Sequence, residues 1–259
     1  MKPDYKNWMP KGMIWSFLGG AIGCGIIAIL LNRLLNGTPK TVLTSIFAVA
    51  AVILCGLTVW ALLMHRAFSY DGRRQMSRQI IEGTAACVKL PAGGKCLDVG
   101  CGSGALAIAV AKRNPQSQVL GVDRWGKEYA SFSKNLCERN AQTEGVKNIT
   151  FQQGDATHLE FADETFDAVV SNYVYHNIPG KRDQYLLETL RTLKKGGTFA
   201  IHDIFSQSKY GDMQAFVKRL QDMGYRKVAL IDTTDGRFMT KFEAGWMGLS
   251  GSALLTGIK

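Results

Sequence analysis

The sequence predicts an α/β protein in which a seven-stranded sheet follows two helices that cross a membrane. Three observations carry this prediction. Two long runs near the amino terminus lack charged residues, strand and helix patterns alternate after residue 95, and a glycine-rich turn joins the first strand to its helix. Alternating strands and helices are typical of a parallel sheet covered by helices on both faces.

The two uncharged runs extend from Met13 to Leu31 and from Thr41 to Met64. At about 1.5 Å per helical residue they would be roughly 28 Å and 36 Å long, which is enough to cross a hydrocarbon core. We therefore expect a transmembrane hairpin. Its predicted bounds are residues 1–64 for the hairpin and about 13–35 and 41–64 for the two helices.

A turn at 36–40 would join the two spans, because Asn, Gly and Pro are concentrated there. The first span has small residues four apart, Gly19 with Gly23 and Ala21 with Gly25, a spacing that lets another helix approach closely. That neighbour is either the second helix or another protomer, so a homo-oligomer stays open. The lipid bilayer is the other expected partner.

A cleaved signal peptide is the rival interpretation of the first run, because basic residues precede it. We favour a span, since the run is too long, no A-x-A site follows it, and the second run would still anchor the chain. Basic residues are more numerous outside the hairpin than at its turn, which places both termini in the cytoplasm. The two groups are Lys2, Lys6, Lys11, Arg66, Arg73, Arg74 and Arg78 against Arg33 and Lys40.

A linker at 65–94 follows the hairpin. Its pattern predicts an amphipathic helix from His65 to Leu90, which ends at Pro91-Ala92-Gly93-Gly94. Residues 95–259 then form the α/β domain. Its expected strands are 95–99, 118–123, 149–153, 167–172, 197–203, 227–231 and 253–258. Its expected helices are 103–113, 126–144, 181–194 and 211–223.

The net charge of +10 and the six cysteines limit the classes of function. The basic surplus suits a domain beside anionic lipid headgroups. No basic run with interleaved aromatic residues occurs, which argues against a nucleic-acid partner. No CxxC occurs either, so we expect reduced cysteines in a cytosol-facing protein and no metal site.

The central motif is Cys96-Leu97-Asp98-Val99-Gly100-Cys101-Gly102-Ser103-Gly104. Its glycines let the backbone approach a ligand closely, and the helix that follows presents free N–H groups. The pattern Asp-x-Gly-x-Gly-x-Gly differs from the G-x-G-x-x-G of dinucleotide sites. An acid at Asp98 would repel a pyrophosphate but suits a ligand with an ammonium group. S-adenosylmethionine carries an ammonium and a sulfonium.

Acids also end the next two predicted strands. Asp123 lies about 20 residues after the glycines, where it can accept hydrogen bonds from both ribose hydroxyls. Asp155, after Gly154, could accept from an adenine amino group. A helix cap is the alternative for any one such acid. Three acids at consecutive strand ends, beside a glycine turn, favour one cofactor site.

Together these motifs resemble those of the class I S-adenosylmethionine-dependent methyltransferases over residues 95–204. CLDVGCGSG matches the glycine motif, VLGVD the ribose motif, FQQGDATHLEFADETFDAVVSN the adenine and fourth-strand motifs, and LKKGGTFAIHD the fifth-strand segment. The resemblance implies a Rossmann-like methyltransferase sheet, S-adenosylmethionine as cofactor and methyl transfer as the reaction. It says little about the acceptor.

The resemblance also implies roles for single residues. The glycine turn would hold the methionine part, Asp123 the ribose and Asp155, with the Ala156 backbone, the adenine, while Asn172 would face the methyl group. Tyr70 would fold over the cofactor, although a membrane-interface aromatic is equally compatible. The expected cofactor-binding residues are Tyr70, Asp98, Gly100, Gly102, Ser103, Gly104, Asp123, Arg124, Gly154, Asp155, Ala156 and Asn172.

His176 and Tyr173 are the catalytic candidates, because they follow the fourth strand where an acceptor would enter. A neutral imidazole there could take a proton from a hydroxyl, thiol or ammonium group. The alternatives are a histidine that binds backbone and a tyrosine that lines the pocket. The aromatic segment 232–252 is either an apolar lid or a long hairpin that covers the sheet edge, and we favour the hairpin slightly.

These observations predict a membrane-anchored methyltransferase that acts on a small or lipid-like acceptor at the cytoplasmic surface. The alternative is a catalytically silent S-adenosylmethionine-binding module whose hairpin mediates membrane assembly. A nicotinamide enzyme fits less well, because the glycine spacing differs from that of a dinucleotide site. An aminopropyl transferase also fits less well, because no acidic site for a polyamine is evident.

Overall fold

The computed structural model describes residues 2–126 and 131–259, which form two compact units. One unit is Lys6–Ser77. The other combines the residues up to Tyr5 with Arg78–Lys259. The domain boundaries expected at residues 64 and 94 stay predictions.

The Lys6–Ser77 unit is built on two long helices, α1 (Lys11–Leu34) and α2 (Gly37–Phe68). Both have the length and the apolar composition needed to cross a bilayer. Each begins before its expected first residue, and α2 also continues past residue 64. The two predicted spans are therefore present as helices, with different bounds.

The turn expected at 36–40 is shorter in the structure, where only Leu35 and Asn36 separate the helices. Pro39 lies in the first turn of α2. Proline is tolerated there because the N–H group that it lacks would have no partner within the helix.

Small residues of α1 make different contacts from those the spacing suggested. Its buried residues, Ile14, Ala21 and Ala28, recur every seven positions and so lie on one stripe. A Cβ atom at Gly20 would lie 3.2 Å from Leu54 Cδ1, whereas one at Gly19 or Gly23 would meet no described atom within 4 Å. The Gly19–Gly23 pair is therefore not used in the contact with α2.

The helix expected from His65 to Leu90 is interrupted. α2 ends at Phe68, and α3 forms only at Met76–Ala85. Between them the Gly72 N–H donates to the Ser69 carbonyl at 3.2 Å, and a Cβ at Gly72 would lie 2.7 Å from Ser69 Cβ. A tight turn that has room only for glycine thus breaks the predicted helix.

The second unit contains one seven-stranded sheet, which confirms the predicted strand count. The strands are β1 (Lys95–Val99), β2 (Gln118–Asp123), β3 (Ile149–Gln153), β4 (Phe166–Asn172), β5 (Leu193–Ile204), β6 (Arg226–Asp232) and β7 (Ser252–Ile258). Their order is β3-β2-β1-β4-β5-β7-β6. β7 pairs antiparallel with both β5 and β6, so the sheet is mixed, and the expected parallel pairing holds only from β3 to β5.

Six helices of this unit follow the sheet strands or the loops between them. They are α4 (Ala105–Arg113), α5 (Lys134–Thr143), α6 (Arg182–Arg191), α7 (Gln207–Tyr210), α8 (Met213–Asp222) and α9 (Lys241–Trp246). α5 starts later than residue 126, because Ser133 Oγ accepts from the Leu136 N–H at 3.2 Å and caps the helix there. Part of that predicted helix, 127–130, lies outside the described residues.

The sheet brings the functional motifs to one edge. Strand order reverses between β1 and β4, and ligands of such sheets bind outside the carboxyl ends of the strands at this switch point. The connection from β6 to β7 lies at the same edge, since Asp232 pairs with Ala253 and Ile204 pairs with Ser252. The carboxyl ends of β4 and β5 are thus flanked by segment 232–252.

Segment 232–252 packs mostly into the unit. Phe238 and Met239 are buried, and the Phe238 ring lies against the His202 ring with centroids 5.4 Å apart. These contacts are those expected of the hairpin interpretation. Phe242 differs, because it is 80% exposed on α9.

Packing at Gly121 gives a first prediction. A Cβ there would lie 2.7 Å from Phe151 Cδ1 and 3.0 Å from Cys101 Sγ. Gly121→Ala should therefore lower stability by about 1–3 kcal/mol through overpacking, measured as a fall in the thermal unfolding midpoint. Gly245→Ala is the matched control. A Cβ atom there would have Ser250 Oγ, at 3.9 Å, as its nearest described neighbour outside the backbone of its own helix. Equal midpoints for the two variants would contradict the steric argument.

Candidate cofactor and acceptor site

The glycine turn between β1 and α4 has three residues in the left-handed region. The φ angles are 73° at Gly100, 54° at Gly102 and 82° at Gly104. The N–H groups of Gly100 and Cys101 donate to the Val122 carbonyl at 2.8 and 3.0 Å. The turn is therefore fixed to the end of β2 in a conformation that other residues rarely adopt.

Side chains outside the motif bind the carbonyl groups of this turn. Gly102 O accepts from Trp125 Nε1 at 3.1 Å and from Cys137 Sγ at 3.2 Å, and Ser103 O accepts from Asn140 Nδ2 at 3.0 Å. The sequence interpretation missed these three residues. The available signal was a polar residue, Asn140, on the buried face of α5.

Asp123 joins the second-strand motif to the turn. Its carboxylate accepts from the Gly102 N–H and the Trp125 N–H, both at 2.8 Å. Its carbonyl accepts from the Gly154 N–H at 3.1 Å. The expected ribose and adenine motifs therefore lie beside the glycine turn.

Asp155 is held in a local turn. One of its oxygens accepts from the Thr157 N–H at 2.8 Å and from Thr157 Oγ1 at 2.7 Å. These hydrogen bonds, with a smaller contribution from the Arg124 charge, hold the pKa of Asp155 below its ordinary value. Asp155 is thus an ionised acceptor, and the neighbouring Ala156 packs against the core.

Asp98 differs from the other acids of the site because it is only 1% exposed. Neither of its carboxylate oxygens has a hydrogen-bond partner among the described residues. Burial raises the pKa of Asp98 to about 8, the Asp123 charge adds to the rise, and the nearby Ala107 amide opposes it. A buried and unpaired carboxyl of this kind is suited to a cationic ligand group.

The loop after β4 also lies against the turn. A Cβ at Gly100 would come within 2.3 Å of Val174 Cγ2, and Ser171 Oγ donates to the Val99 carbonyl at 2.8 Å. Asn172 Oδ1 lies 2.9 Å from His202 Nδ1. The fourth-strand motif is therefore part of the same site.

Tyr173 has a left-handed backbone, with φ of 56°, and its hydroxyl is 2.8 Å from Ser252 Oγ. Ser252 Oγ donates to the Leu249 carbonyl at 2.7 Å, so Tyr173 is the donor of the pair. Burial raises the pKa of Tyr173 above its ordinary value. A catalytic role for this residue stays a prediction, and its hydroxyl proton is already engaged.

His176 lies next to a buried carboxylate. Its Nδ1 pairs with Asp203 Oδ1, and its side chain is 12% exposed while that of Asp203 is fully buried. Asp203 Oδ2 accepts from the Tyr175 N–H at 2.9 Å, the His176 N–H at 3.2 Å and the Tyr210 hydroxyl at 2.9 Å. Both oxygens of Asp203 therefore have hydrogen-bond partners, which fix the carboxyl beside His176.

The second histidine of this region has a different character. His202 is fully buried, with Nε2 2.9 Å from Thr233 Oγ1, and burial lowers the pKa of His202 to about 3. It is a neutral part of the packing between β5 and Thr233. Tyr70 belongs to the Lys6–Ser77 unit, so its expected place over the cofactor stays a prediction. The described residues contain no group of three or more side chains placed to hold a metal ion.

A model of the methyltransferase domain family matches residues 90–244, which is more than half of the chain. The match covers the turn, the strand-end acids and the β4 loop. The chain belongs to this methyltransferase family.

Two curated relatives of this methyltransferase are enzymes of quinone biosynthesis. A demethylmenaquinone methyltransferase of Lactobacillus johnsonii is 38% identical over 115 residues, covering 44% of this chain and 45% of that protein. A ubiquinone/menaquinone biosynthesis C-methyltransferase of Desulfotalea psychrophila is 31% identical over 164 residues, covering 63% and 60%. The chain thus spans about half the length of the curated relatives that it matches.

Solved structures with the same fold have different activities. The [4+2]-cyclase SpnF has a TM-score of 0.55 at 20% identity and covers 73% of this chain and 84% of its own. The geranyl diphosphate C-methyltransferase of Streptomyces coelicolor has a TM-score of 0.54 at 14% identity and covers 71% and 79%. These likenesses establish the fold alone. They do not assign a reaction, because one fold hosts many reactions.

The cofactor is S-adenosylmethionine. The residues of the site fit it in three respects: Asp98 is an unpaired buried acid for its ammonium group, the left-handed glycines permit close approach, and Asp123 offers a carboxylate for its ribose hydroxyls. The assignment of these residues, and of the other expected ones, to parts of the cofactor stays a prediction.

Asp98 gives the second prediction. Its carboxyl ionises near pH 3.8 in the unfolded chain but only near pH 8 in the fold, so the folded state loses stability as the pH rises through this window. Asp98→Asn removes that penalty and should stabilise the cofactor-free protein more at about pH 8 than at about pH 5, by up to about 4 kcal/mol. Thermal unfolding at the two pH values measures this difference.

The same variant should bind S-adenosylmethionine at least about 10-fold more weakly, because it lacks the charge that pairs with the ammonium group. Calorimetric titration of wild type and variant tests this. Unchanged affinity together with pH-independent stabilisation would disprove the assigned role.

Proposed function

We propose that this chain is a membrane-anchored, S-adenosylmethionine-dependent methyltransferase that acts on a small or lipid-like acceptor at the cytoplasmic surface of the bilayer. The observation that carries the proposal is the His176–Asp203 pair at the sheet edge that also carries the glycine turn. A cofactor-binding module without catalysis has no need of a histidine held in this way.

When bound, S-adenosylmethionine would supply a methyl group on a positively charged sulfur, and the sulfur would leave as the neutral thioether of S-adenosylhomocysteine as the methyl group passes to the acceptor. The remaining work of the protein is alignment, exclusion of water and removal of a proton from the acceptor. The half-buried Tyr173 ring packs edge-on against the His176 ring, with centroids 5.8 Å apart, and Tyr175 is fully buried next to it in the chain. We expect these rings and the β4 loop to limit the access of water to this edge.

Proton removal falls to His176. Asp203 accepts a hydrogen bond from the Nδ1–H group of His176. This bond fixes the tautomer in which Nε2 carries a lone pair. His176 Nε2 has no hydrogen-bond partner among the residues that the structure describes. It can therefore take a proton from an acceptor hydroxyl, thiol or ammonium group, with Asp203 stabilising the imidazolium that forms.

The membrane anchor and the site together favour a lipophilic acceptor. Apolar side chains of α1 and α2 are widely exposed, with Trp15 67% and Val52 71% accessible, as expected for helices in contact with lipid. At the carboxyl edge of the sheet, Phe242 is 80% exposed on α9, where it could contact an apolar acceptor or the bilayer. The demethylmenaquinone relative supports an acceptor of this class.

Activity gives the third prediction. The full-length protein, with labelled S-adenosylmethionine and a membrane extract, should transfer label to an extractable product. His176→Gln and Asp203→Asn should each lower turnover about 100-fold or more. The first variant lacks the base, and the second lacks the carboxylate that accepts from His176 Nδ1. Cofactor affinity should stay within about twofold in both.

The control for this experiment is His158→Gln, which changes an exposed histidine and should retain wild-type turnover. A protein that binds the cofactor but labels nothing, and whose His176→Gln variant behaves as wild type, would be a silent binding module. Label confined to soluble products would contradict a lipid-like acceptor.

Membrane topology gives the fourth prediction. An Asn36→Cys variant, in intact cells of an expression host, should react with a membrane-impermeant maleimide, because the α1–α2 turn faces outward when both termini are cytoplasmic. Cys87, an exposed natural thiol of the second unit, is the internal control and should react only after permeabilisation. Reaction of Cys87 in intact cells would reverse the proposed orientation.

A further inference from the structure

The residues before the hairpin form a short extended segment, Lys2–Tyr5, which we call the strap. It belongs to the same compact unit as the methyltransferase sheet. Tyr5 is only 6% exposed, and its hydroxyl donates to Glu144 Oε1 at 3.2 Å, next to the end of α5. The strap is therefore packed onto the unit that binds the cofactor.

One buried side chain joins the strap to the glycine turn. Asn140, which is 2% exposed, accepts from the Asp4 N–H at 2.7 Å and donates to the Asp4 carbonyl at 3.0 Å. The same Nδ2 donates to the Ser103 carbonyl at 3.0 Å. Asn140 thus pairs with the strap as a neighbouring β-strand would and binds the cofactor turn at the same time.

A second contact closes this arrangement. Ser103 Oγ donates to the Tyr5 carbonyl at 2.9 Å, so Ser103 is held through its carbonyl by Asn140 and through its hydroxyl by the strap. Ser103 stands between two glycines with left-handed backbones, where few conformations are excluded. Two hydrogen bonds at this residue restrict the turn more than they would in ordinary backbone.

We propose that Asn140 and the strap are positioning elements for the cofactor: they hold the glycine turn in its binding conformation before S-adenosylmethionine arrives. Preorganisation of a site raises affinity, because the binding step no longer has to order the site. The inference rests on the cofactor site of the proposed function. It does not depend on the acceptor or on His176.

The experiment compares four full-length proteins: wild type, Asn140→Leu, a variant lacking residues 2–5, and the combination of both. Leucine preserves most of the side-chain volume and removes all three hydrogen bonds. Each single change should raise the Kd for S-adenosylhomocysteine, measured by calorimetry, about 10-fold. The combination should raise it little further, since both changes remove the same support.

Asn148→Leu is the matched control. Like Asn140, Asn148 makes three hydrogen bonds to backbone: its Nδ2 lies within donor distance of the Ala111, Asn114 and Ser117 carbonyls, at 3.2, 3.1 and 2.8 Å. The three carbonyls precede β2 and Asn148 precedes β3. All four residues therefore lie at the sheet edge opposite the glycine turn. Its loss should lower the thermal midpoint and leave the Kd within about twofold of wild type.

Amide hydrogen exchange provides a readout that does not require the cofactor. In the cofactor-free protein, exchange at Gly102–Gly104 should be faster in Asn140→Leu and in the strap deletion, and unchanged in Asn148→Leu. A lowered thermal midpoint with wild-type Kd and wild-type exchange would show that Asn140 is merely structural and overturn the proposal. Wild-type protein that binds the cofactor but transfers no methyl group would instead count against the proposed reaction and leave this inference intact.

Discussion

The left-handed backbone of the glycine turn is the constraint on which the rest of the site depends. Gly100, Gly102 and Gly104 take conformations that allow the chain to pass close to a ligand, yet glycine is also the residue that loses most conformational freedom on folding. The protein offsets that loss with external supports. The end of β2 holds the N–H groups of the turn, and Trp125, Cys137 and Asn140 hold its carbonyls, so a flexible sequence is given one shape.

Two buried carboxyls at the same sheet edge have opposite environments. Asp203 is surrounded by hydrogen-bond donors, which fix its position beside His176. Asp98 has no such donors, and burial raises its pKa to about 8. The first arrangement supplies several hydrogen-bond donors to one carboxyl, whereas the second disfavours a charge on Asp98 below about pH 8 unless a cationic group pairs with it. Two residues of the same type thus differ in their environments, which fits the different roles proposed for them.

Much of the fold follows from local patterns in the sequence. The bounds of β1, β2 and β3 are those predicted from the sequence, and the glycine turn lies beside Asp123 as expected of residues that follow neighbouring strands. Features that depend on distant residues were not predicted: the antiparallel direction of β7 and the contacts of Asn140 with Asp4, 136 residues away. The break at Gly72 was also missed, because it depends on the backbone geometry of one tight turn. Periodicity reports which face of an element is buried, but it does not report which segment covers that face.

The position of the strap has a practical consequence for work on this protein. It precedes α1 in the chain, so truncation of the hairpin to obtain a water-soluble catalytic fragment would also remove Asp4 and Tyr5 from the glycine turn. An affinity tag fused ahead of residue 2 would crowd the same contacts. A fragment that begins near Arg78 would therefore retain the whole sheet and still be a poor reagent for measuring how tightly the native enzyme holds its cofactor.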